Sequence, residues 1–256
     1  MFRLAPLTPS RVLRSAGLAA AAVLLAATAQ AQPQSAACTR TYAPATLQYS
    51  QPLNLGQLKN QLYYYACSGA HDRDLNAVQS AAKAYVEMRA SQVTKPALVL
   101  DIDETSLSNL PEELADDFGY IQDRPCDNLP KGPCGARAWE LSGRAQAFDG
   151  TLALYKTAQA HHVAVFFVTG RHESKELREA TEKNLKSAGY AGWAGLALRP
   201  ARTGTMSVAG YTSGERENIA EKGYTIIANV GDQQSDLDGG YAERAYKLPN
   251  PFYYIP

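Results

Sequence analysis

An excess of charge of either sign is missing from this chain. Its 256 residues carry 25 Lys and Arg against 25 Asp and Glu. Such a balance argues against a nucleic-acid polymer or an anionic membrane surface as partner. Long hydrophobic runs are also scarce. One lies near the N-terminus, and nothing after it has the length or apolarity of a membrane span. Cysteine is limited to four residues, with no C-x-x-C pair and no histidine beside them that would suggest a metal site. No internal repeat is visible.

The N-terminal run reads as a signal peptide over residues 1–31. Arg3, Arg11 and Arg14 supply the positive end, Ala16 to Ala27 the short apolar stretch, and Ala29-Gln30-Ala31 a small-x-small cleavage site. Its removal takes away three arginines and no acid, leaving residues 32–256 mildly negative. An exported protein, periplasmic or secreted, follows, with no stable membrane span after cleavage. All four cysteines then enter an oxidising compartment. Cys126 and Cys134 bracket a Pro/Gly-rich loop and make the easier pair; Cys38 with Cys67 follows by elimination.

The rest alternates strand and helix signals. Residues 32–60 read as extended or loosely helical, and order begins at Tyr63-Tyr64-Tyr65, which serve packing or a stacking platform. A helix from about Asp72 carries Leu75, Val78, Ala82 and Tyr85 on one face. The run 97–101 is a buried strand. Residues 106–148 form a small cap-like insertion after this first core strand. A helix starts at Asp149 as N-cap, and Val163–Val168 is a second apolar strand. A helix over about 173–188 stops at Gly189, a weak strand covers 195–198, and a helix covers 212–222. The strand 224–230 is the last. This alternation predicts an α/β fold with a parallel sheet and helices on both faces.

Three strands end in polar groups: Asp101 and Asp103, Thr169-Gly170-Arg171, and Asp232 with Asp236. A parallel sheet puts all three ends on one edge, where open α/β sheets bind ligands. The residue types suit phosphoryl transfer. Mg2+ takes hard oxygen ligands. Asp101, Asp103, Asp232 and Asp236 form the metal group: Asp101 and Asp232 by carboxylate, Asp103 by backbone oxygen, Asp236 by orienting metal-bound waters or by capping the segment that follows. Asp101 faces phosphorus as nucleophile. Asp103 protonates the leaving oxygen and later deprotonates water. Thr169, the backbone beside it at Gly170, and Arg171 bind phosphoryl oxygens. A dehalogenase is the rival on one fold, but halide needs no proton from Asp103.

The blocks DIDET, FFVTGR and GDQQSDL resemble motifs I, II and IV of the haloacid dehalogenase (HAD) superfamily. The longer stretches AHDRDLNAVQSAAKAYVE, KPALVLDIDETSLSN, GYTIIANVGDQQSDL and KLPNPFYYIP narrow the resemblance. They are similar to the secreted acid phosphatases of the class B, subfamily IIIB type, which include bacterial lipoprotein phosphatases and plant vegetative storage proteins. The resemblance covers most of residues 60–256. It implies a HAD-like Rossmannoid sheet, magnesium-dependent hydrolysis of small phosphate monoesters, nucleotides among them, and an aspartyl-phosphate. It also implies Asp101 as nucleophile, Asp103 as acid/base, Thr169 as phosphate binder and Asp232 as metal ligand. One departure stands out. The family's Y-K-S element reads Tyr211-Thr212-Ser213 here, so Thr212 replaces the lysine that neutralises nucleophile and phosphate. Thr212-x-x-Glu215 reads as a capping box for the next helix. Arg216, which has a family counterpart of its own, Arg171, Lys175 or Lys222 is then left to supply charge to the substrate. The rival outside catalysis is a binding or storage protein that kept most of the site.

Overall fold

The computed structural model describes residues 53–201 and 206–255. In chain order these fold as α1 (Leu55–Cys67), α2 (Ala70–Arg89), β1 (Pro96–Leu100), β2 (Leu107–Ser108), α3 (Leu110–Ala115), α4 (Ala136–Ser142), β3 (Gln146–Ala147) and α5 (Asp149–Ala160). There follow β4 (Ala164–His172), α6 (Lys175–Ser187), β5 (Gly195–Arg199), α7 (Val208–Glu221), β6 (Thr225–Gly231), α8 (Gln234–Leu237) and β7 (Ala245–Lys247). Residues 1–31 and Cys38 lie outside the described residues, and with them the expected signal peptide and the Cys38–Cys67 bond. Among the described residues no helix is long and apolar enough to cross a membrane.

The main sheet is parallel throughout, in the order β5-β4-β1-β6-β7. Its central strands are apolar on both faces, as a sheet covered by helices requires. Leu98, Leu100, Val165, Phe167 and Ile227 point into the larger core, against Leu75 and Val86 of α2, Leu154 and Tyr155 of α5 and Leu185 of α6. Ala97, Val99, Phe166, Val168 and Ile226 point the other way, onto Tyr211 and Ile219 of α7. The chain steps outward from β1 to β4 to β5 over one face and returns to β6 over the other. Right-handed crossovers demand that change of face when the direction reverses. The reversal makes a switch point between β1 and β6, where a crevice opens beyond the strand ends.

Local chemistry sets the helix ends. Ser174 Oγ accepts from Leu177 N–H at 3.2 Å to start α6, and Gly189 at φ 99° ends the turn after it. Two expected starts move. Phe148 is the N-cap of α5, and Asp149 sits in its first turn, where an acid still favours the helix dipole. The N-cap of α7 is Ser207, whose Oγ accepts from Gly210 N–H at 3.1 Å. Thr212 is therefore inside the helix, and the expected capping box does not form. The N-terminal stretch also differs from expectation. From Leu55, helix α1 runs through the three tyrosines, capped by Asn54, because Tyr63 and Ala66 find a core with Leu114 and Phe252. Tyr63 is a packing residue whose hydroxyl donates to the Leu114 carbonyl at 2.8 Å.

Residues 106–148 leave and rejoin the sheet through the antiparallel β2–β3 pair, Leu107 opposite Ala147. Between them α3, α4 and the loop closed by the Cys126–Cys134 disulfide build a wall over the sheet edge. Among the described residues no cysteine is free.

That disulfide closes a short loop, at a sequence separation of 8. Loop-closure entropy for this length gives about 2.5 kcal/mol. The Cys126→Ala/Cys134→Ala variant should lose about that much in urea unfolding. An unchanged midpoint would show that the loop is held by its other contacts.

Candidate active site

Asp101 follows directly on β1, and its N–H donates to the Val230 carbonyl of β6 at 3.0 Å. The chain then turns sharply. Ser106 and Leu107 N–H both donate to the Ile102 carbonyl, each at 2.8 Å, and Ser106 Oγ donates to the Asp101 carbonyl at 2.6 Å. Outer elements clamp the turn. Tyr190 OH donates to the Ser106 carbonyl at 2.9 Å, and Thr151 Oγ1 donates to the Thr105 carbonyl at 2.7 Å. Gln79 Nε2 donates in turn to Thr151 at 3.0 Å. Gly150 permits this approach, since a Cβ there would stand 2.0 Å from Gln79 Oε1.

The turn aims Asp103 at Arg171. The guanidinium makes two bonds to the carboxylate, Nε to Oδ2 at 2.9 Å and Nη2 to Oδ1 at 2.7 Å. Thr181 accepts a third N–H at 3.1 Å. Asn109 Nδ2 donates to Asp103 Oδ1 at 2.9 Å and is itself oriented by Trp139 Nε1, which donates to Asn109 Oδ1 at 2.8 Å. Burial alone would raise the Asp103 carboxyl, but the Arg171 charge, its hydrogen bonds and Asn109 bring it below the usual carboxylate range. Burial disfavours the Arg171 charge; Asp103 restores it and holds the guanidinium pKa up.

β6 delivers the other acids. Asp232 accepts from Thr105 Oγ1 at 3.2 Å on one oxygen and from Gln233 Nε2 and Asn250 Nδ2, each at 2.7 Å, on the other. Asp236 joins Gln233 in the capping box of α8, its Oδ2 accepting from Gln233 N–H at 2.9 Å. Gly231 leaves room for it, because a Cβ there would lie 2.4 Å from Asp236 Cβ. Asp236 is thus both part of that capping box and a member of the acid group.

Carboxylate oxygens of Asp101, Asp232 and Asp236 all lie within 4.8 Å of one another. Two oxygens bound across one hard divalent cation, at about 2.0–2.6 Å each, would be separated by about 4–5 Å. The set therefore fits such an ion in both spacing and ligand type. Burial, and then Asp236, Asp232 and Asp103, push the Asp101 carboxyl well up. Burial followed by Asp232 raises Asp236 to about 7.

These acids floor a cavity of about 470 Å³. Gly170, Arg171, His172 and Arg199 line one side. Residues of the 106–148 segment line the other, among them Glu112, Glu113, Phe118, Trp139 and Glu140, and Tyr253 of the C-terminal stretch closes it.

The family model for the HAD superfamily, subfamily IIIB (acid phosphatase), matches residues 24–256. This chain belongs to that family. It is 36% identical to acid phosphatase 1 of Solanum lycopersicum over 61% of this chain and 58% of that one. It is 31% identical to vegetative storage protein 1 of Arabidopsis thaliana over 75% of this chain and 68% of that one. The chain spans less than two thirds of the length of the first plant relatives it matches. The class C acid phosphatase of Bacillus anthracis, solved with tungstate bound, shares the fold. Its TM-score is 0.59 at 19% identity, over 77% of this chain and 86% of that one.

The structure brings Asp101, Asp103, Gly170, Arg171, Asp232 and Asp236 together on the cavity. Thr169 is wholly buried and does not line it; its Oγ1 accepts from Arg171 N–H at 3.2 Å, so it shapes the strand end. Arg216, expected at the substrate, is spent elsewhere. Its guanidinium donates to the carbonyls of Gly240, Asp236 and Asp238, which ties α7 to the α8 region. Thr212 is 1% exposed, and its Oγ1 donates to the Ser235 carbonyl at 2.6 Å. No lysine is among the cavity-lining residues, Lys175 and Lys222 included. Asn109, Asn250 and Gln233 went unnoticed in the sequence. Asn109 and Asn250 lie in blocks that carry the family resemblance, SLSN and KLPNPFYYIP, which was their only signal.

Burial and neighbouring acids also push Glu112 up to about 9, and Glu113 and Glu140 to about 7. These folded-state values lie above those of an unfolded glutamate, about 4.3. The folded protein therefore holds protons that the unfolded chain gives up, and stability falls as pH rises from about 4 through about 9. In chelator the urea midpoint should decline between pH 5 and pH 8. Magnesium should raise it more at pH 8 than at pH 5, because protons compete with it for Asp101, Asp232 and Asp236. A midpoint that rises across this window would contradict the assignment.

Proposed function

We propose that this chain is an exported phosphomonoesterase that works through an aspartyl-phosphate on Asp101 with Mg2+ as its ion. The observation that carries the reading is the grouping of Asp101 with Asp232 and Asp236, one turn from an Asp103 held by Arg171. Family membership supports the reaction class. The disulfide suits an oxidising compartment.

Each proposed step uses a named group. A phosphate monoester enters with its phosphoryl group toward Asp101. Arg171 has five N–H donors. Two go to Asp103 and one to Thr181, which leaves two for phosphoryl oxygens. Sharing the guanidinium with a phosphoryl dianion weakens its hold on Asp103, which then takes up the proton it passes on. An Asp101 oxygen attacks phosphorus, the bond from phosphorus to the leaving oxygen breaks, and the Asp103 proton goes to that oxygen. Water then attacks phosphorus, giving its proton to Asp103. The bond between phosphorus and Asp101 breaks, and inorganic phosphate leaves. A divalent cation held by Asp101, Asp232 and Asp236, with the Asp103 backbone oxygen, would neutralise charge on the phosphoryl oxygens. Hard carboxylate ligands favour magnesium over softer metals.

A second reading rests on one observation: Thr212 stands where the family has its lysine, and no lysine lines the cavity. On that reading the chain is a weakened phosphatase kept for binding or storage. Assay of p-nitrophenyl phosphate with magnesium separates the two, because the second reading allows phosphate-analogue binding without turnover.

Asp101→Asn should lower kcat by at least about a thousandfold, as for a lost covalent nucleophile. Chelator should abolish turnover, and magnesium should restore it better than calcium, whose bonds are longer and ligands more numerous. Near-normal turnover by Asp101→Asn, or in excess chelator, would reject the mechanism.

A further inference from the structure

Glu112 is 5% exposed and lines the cavity, yet among the described residues no group hydrogen-bonds or ion-pairs with its carboxylate. Buried carboxylates are ordinarily paired. The charged groups that face it are Glu113, Asp116, Asp103 and Glu140, all acids. Glu113, the next residue, also lines the cavity and faces Asp116, Asp232 and Asp103. Of the cations, Lys59 is bound to Asp117 at 2.8 Å, and Arg137, which also lines the cavity, faces Glu140. Both glutamates lie in the first turn of α3, where acids are favoured, but a six-residue helix gives no reason to bury one against further acids.

Beside this pair the wall turns aromatic. Asp117 and Phe118 both have left-handed backbones, at φ 53° and 58°, a conformation that is costly for such side chains. The ion pair to Lys59 and the stacking of Phe118 on Phe252 hold it in place. The outcome is that Phe118 lines the same cavity as Glu112, with Tyr253 also on the cavity wall. Rings and a carboxyl group without a partner on one cavity wall form a receptor for an organic cation, whose charge favours release of the proton that burial and the neighbouring acids hold on Glu112.

Resting on the phosphatase reading, we propose that this cleft selects phosphate monoesters whose alcohol carries a positive charge. The amino alcohols and quaternary ammonium alcohols are the class. The phosphoryl group sits at Asp101 and Arg171, and the ammonium sits at Glu112 and Glu113 against Phe118. An anionic leaving group, such as a second phosphate, meets acids at that end and is rejected.

The test compares phosphocholine with 3,3-dimethylbutyl phosphate, its neutral isostere, under saturating magnesium. The wild-type protein should favour phosphocholine in kcat/KM by at least about tenfold, chiefly through KM. In Glu112→Gln/Glu113→Gln that ratio should fall to about one. Hydrolysis of both esters at equal rates by the wild type would overturn this proposal and leave the phosphatase reading standing. Binding supplies a readout without turnover. Tetramethylammonium should bind the wild-type protein in calorimetry and bind the double variant at least about tenfold more weakly. If neither ester is hydrolysed, the phosphatase reading fails and the calorimetry alone decides. Equal binding by both proteins, or none by the wild type, would overturn the cation site.

Discussion

Asp101, Asp232 and Asp236 bring carboxylate oxygens within 4.8 Å of one another, and burial removes the water that would screen them. Left alone, such a group would drive the strand ends apart. The fold answers with donors in place of charges. Asp232 takes hydrogen bonds from Thr105, Gln233 and Asn250, and Asp236 takes one from the Gln233 backbone. Each donor comes from a different segment: the turn after β1, the start of α8 and the C-terminal stretch. The repulsion is thereby spread over the chain instead of being cancelled within the site. Neutral donors orient carboxylates without consuming their charge, so the charge stays available to a cation.

The same economy explains the positions of the arginines. Arg171 and Arg216 are both buried, and both come from elements beside the acid group. Arg216 faces only carbonyls and works as a strut between α7 and the loop after α8. Arg171 faces a carboxylate and fixes Asp103 in a single orientation, with Thr181 and Asn109 bracing the pair. A buried pair of this geometry is worth little as a stabiliser once desolvation is counted. Its effect is on position and on protonation, since it lowers the pKa of Asp103 while burial and its neighbours raise that of Asp101. Two aspartates two residues apart are thus shifted in opposite directions, Asp103 down by the guanidinium and Asp101 up by burial and the acids around it.

The parts legible in the sequence were those with a short-range signal. The apolar runs ending in Asp101, Thr169 and Gly231-Asp232 gave the parallel strands and the shared edge, because a buried strand and its polar end are contiguous in sequence. Asp236 does not cap the segment after it: it lies inside α8, where its carboxylate accepts from the N–H of the N-cap Gln233. Where two local signals competed, the reading went astray. Thr212-x-x-Glu215 has the spacing of a capping box, but Ser207 offers a cap five residues earlier and the helix extends to it. Tyr211 and Thr212 are then buried inside α7, where a start at 212 would have left them at its end. Arg216 carried a charge that suited the substrate, yet only the folded chain shows three carbonyls converging on it. Asn109 is oriented by Trp139, 30 residues on, and Asn250 meets Asp232, 18 residues back, and periodicity says nothing about such encounters.

The absent lysine shows how a local change is absorbed. A lysine at position 212 would have to lead its charge out of a buried site; threonine ends there, closing on the Ser235 carbonyl beside Asp236. The threonine trades a mobile cation for a fixed bond between α7 and α8. On the proposed mechanism, charge near the reacting end is concentrated on Arg171, which serves both Asp103 and an incoming anion. A lysine could follow its ligand, because its ammonium rides on a flexible stem, whereas a guanidinium committed to a carboxylate by two bonds is fixed in plane and direction. Positioning in this cleft is consequently borne by a rigid fork. On the proposed mechanism that favours substrates whose phosphoryl group arrives in one orientation, and it leaves orientation to the far wall of the cavity, where Glu112 has no partner among the described residues.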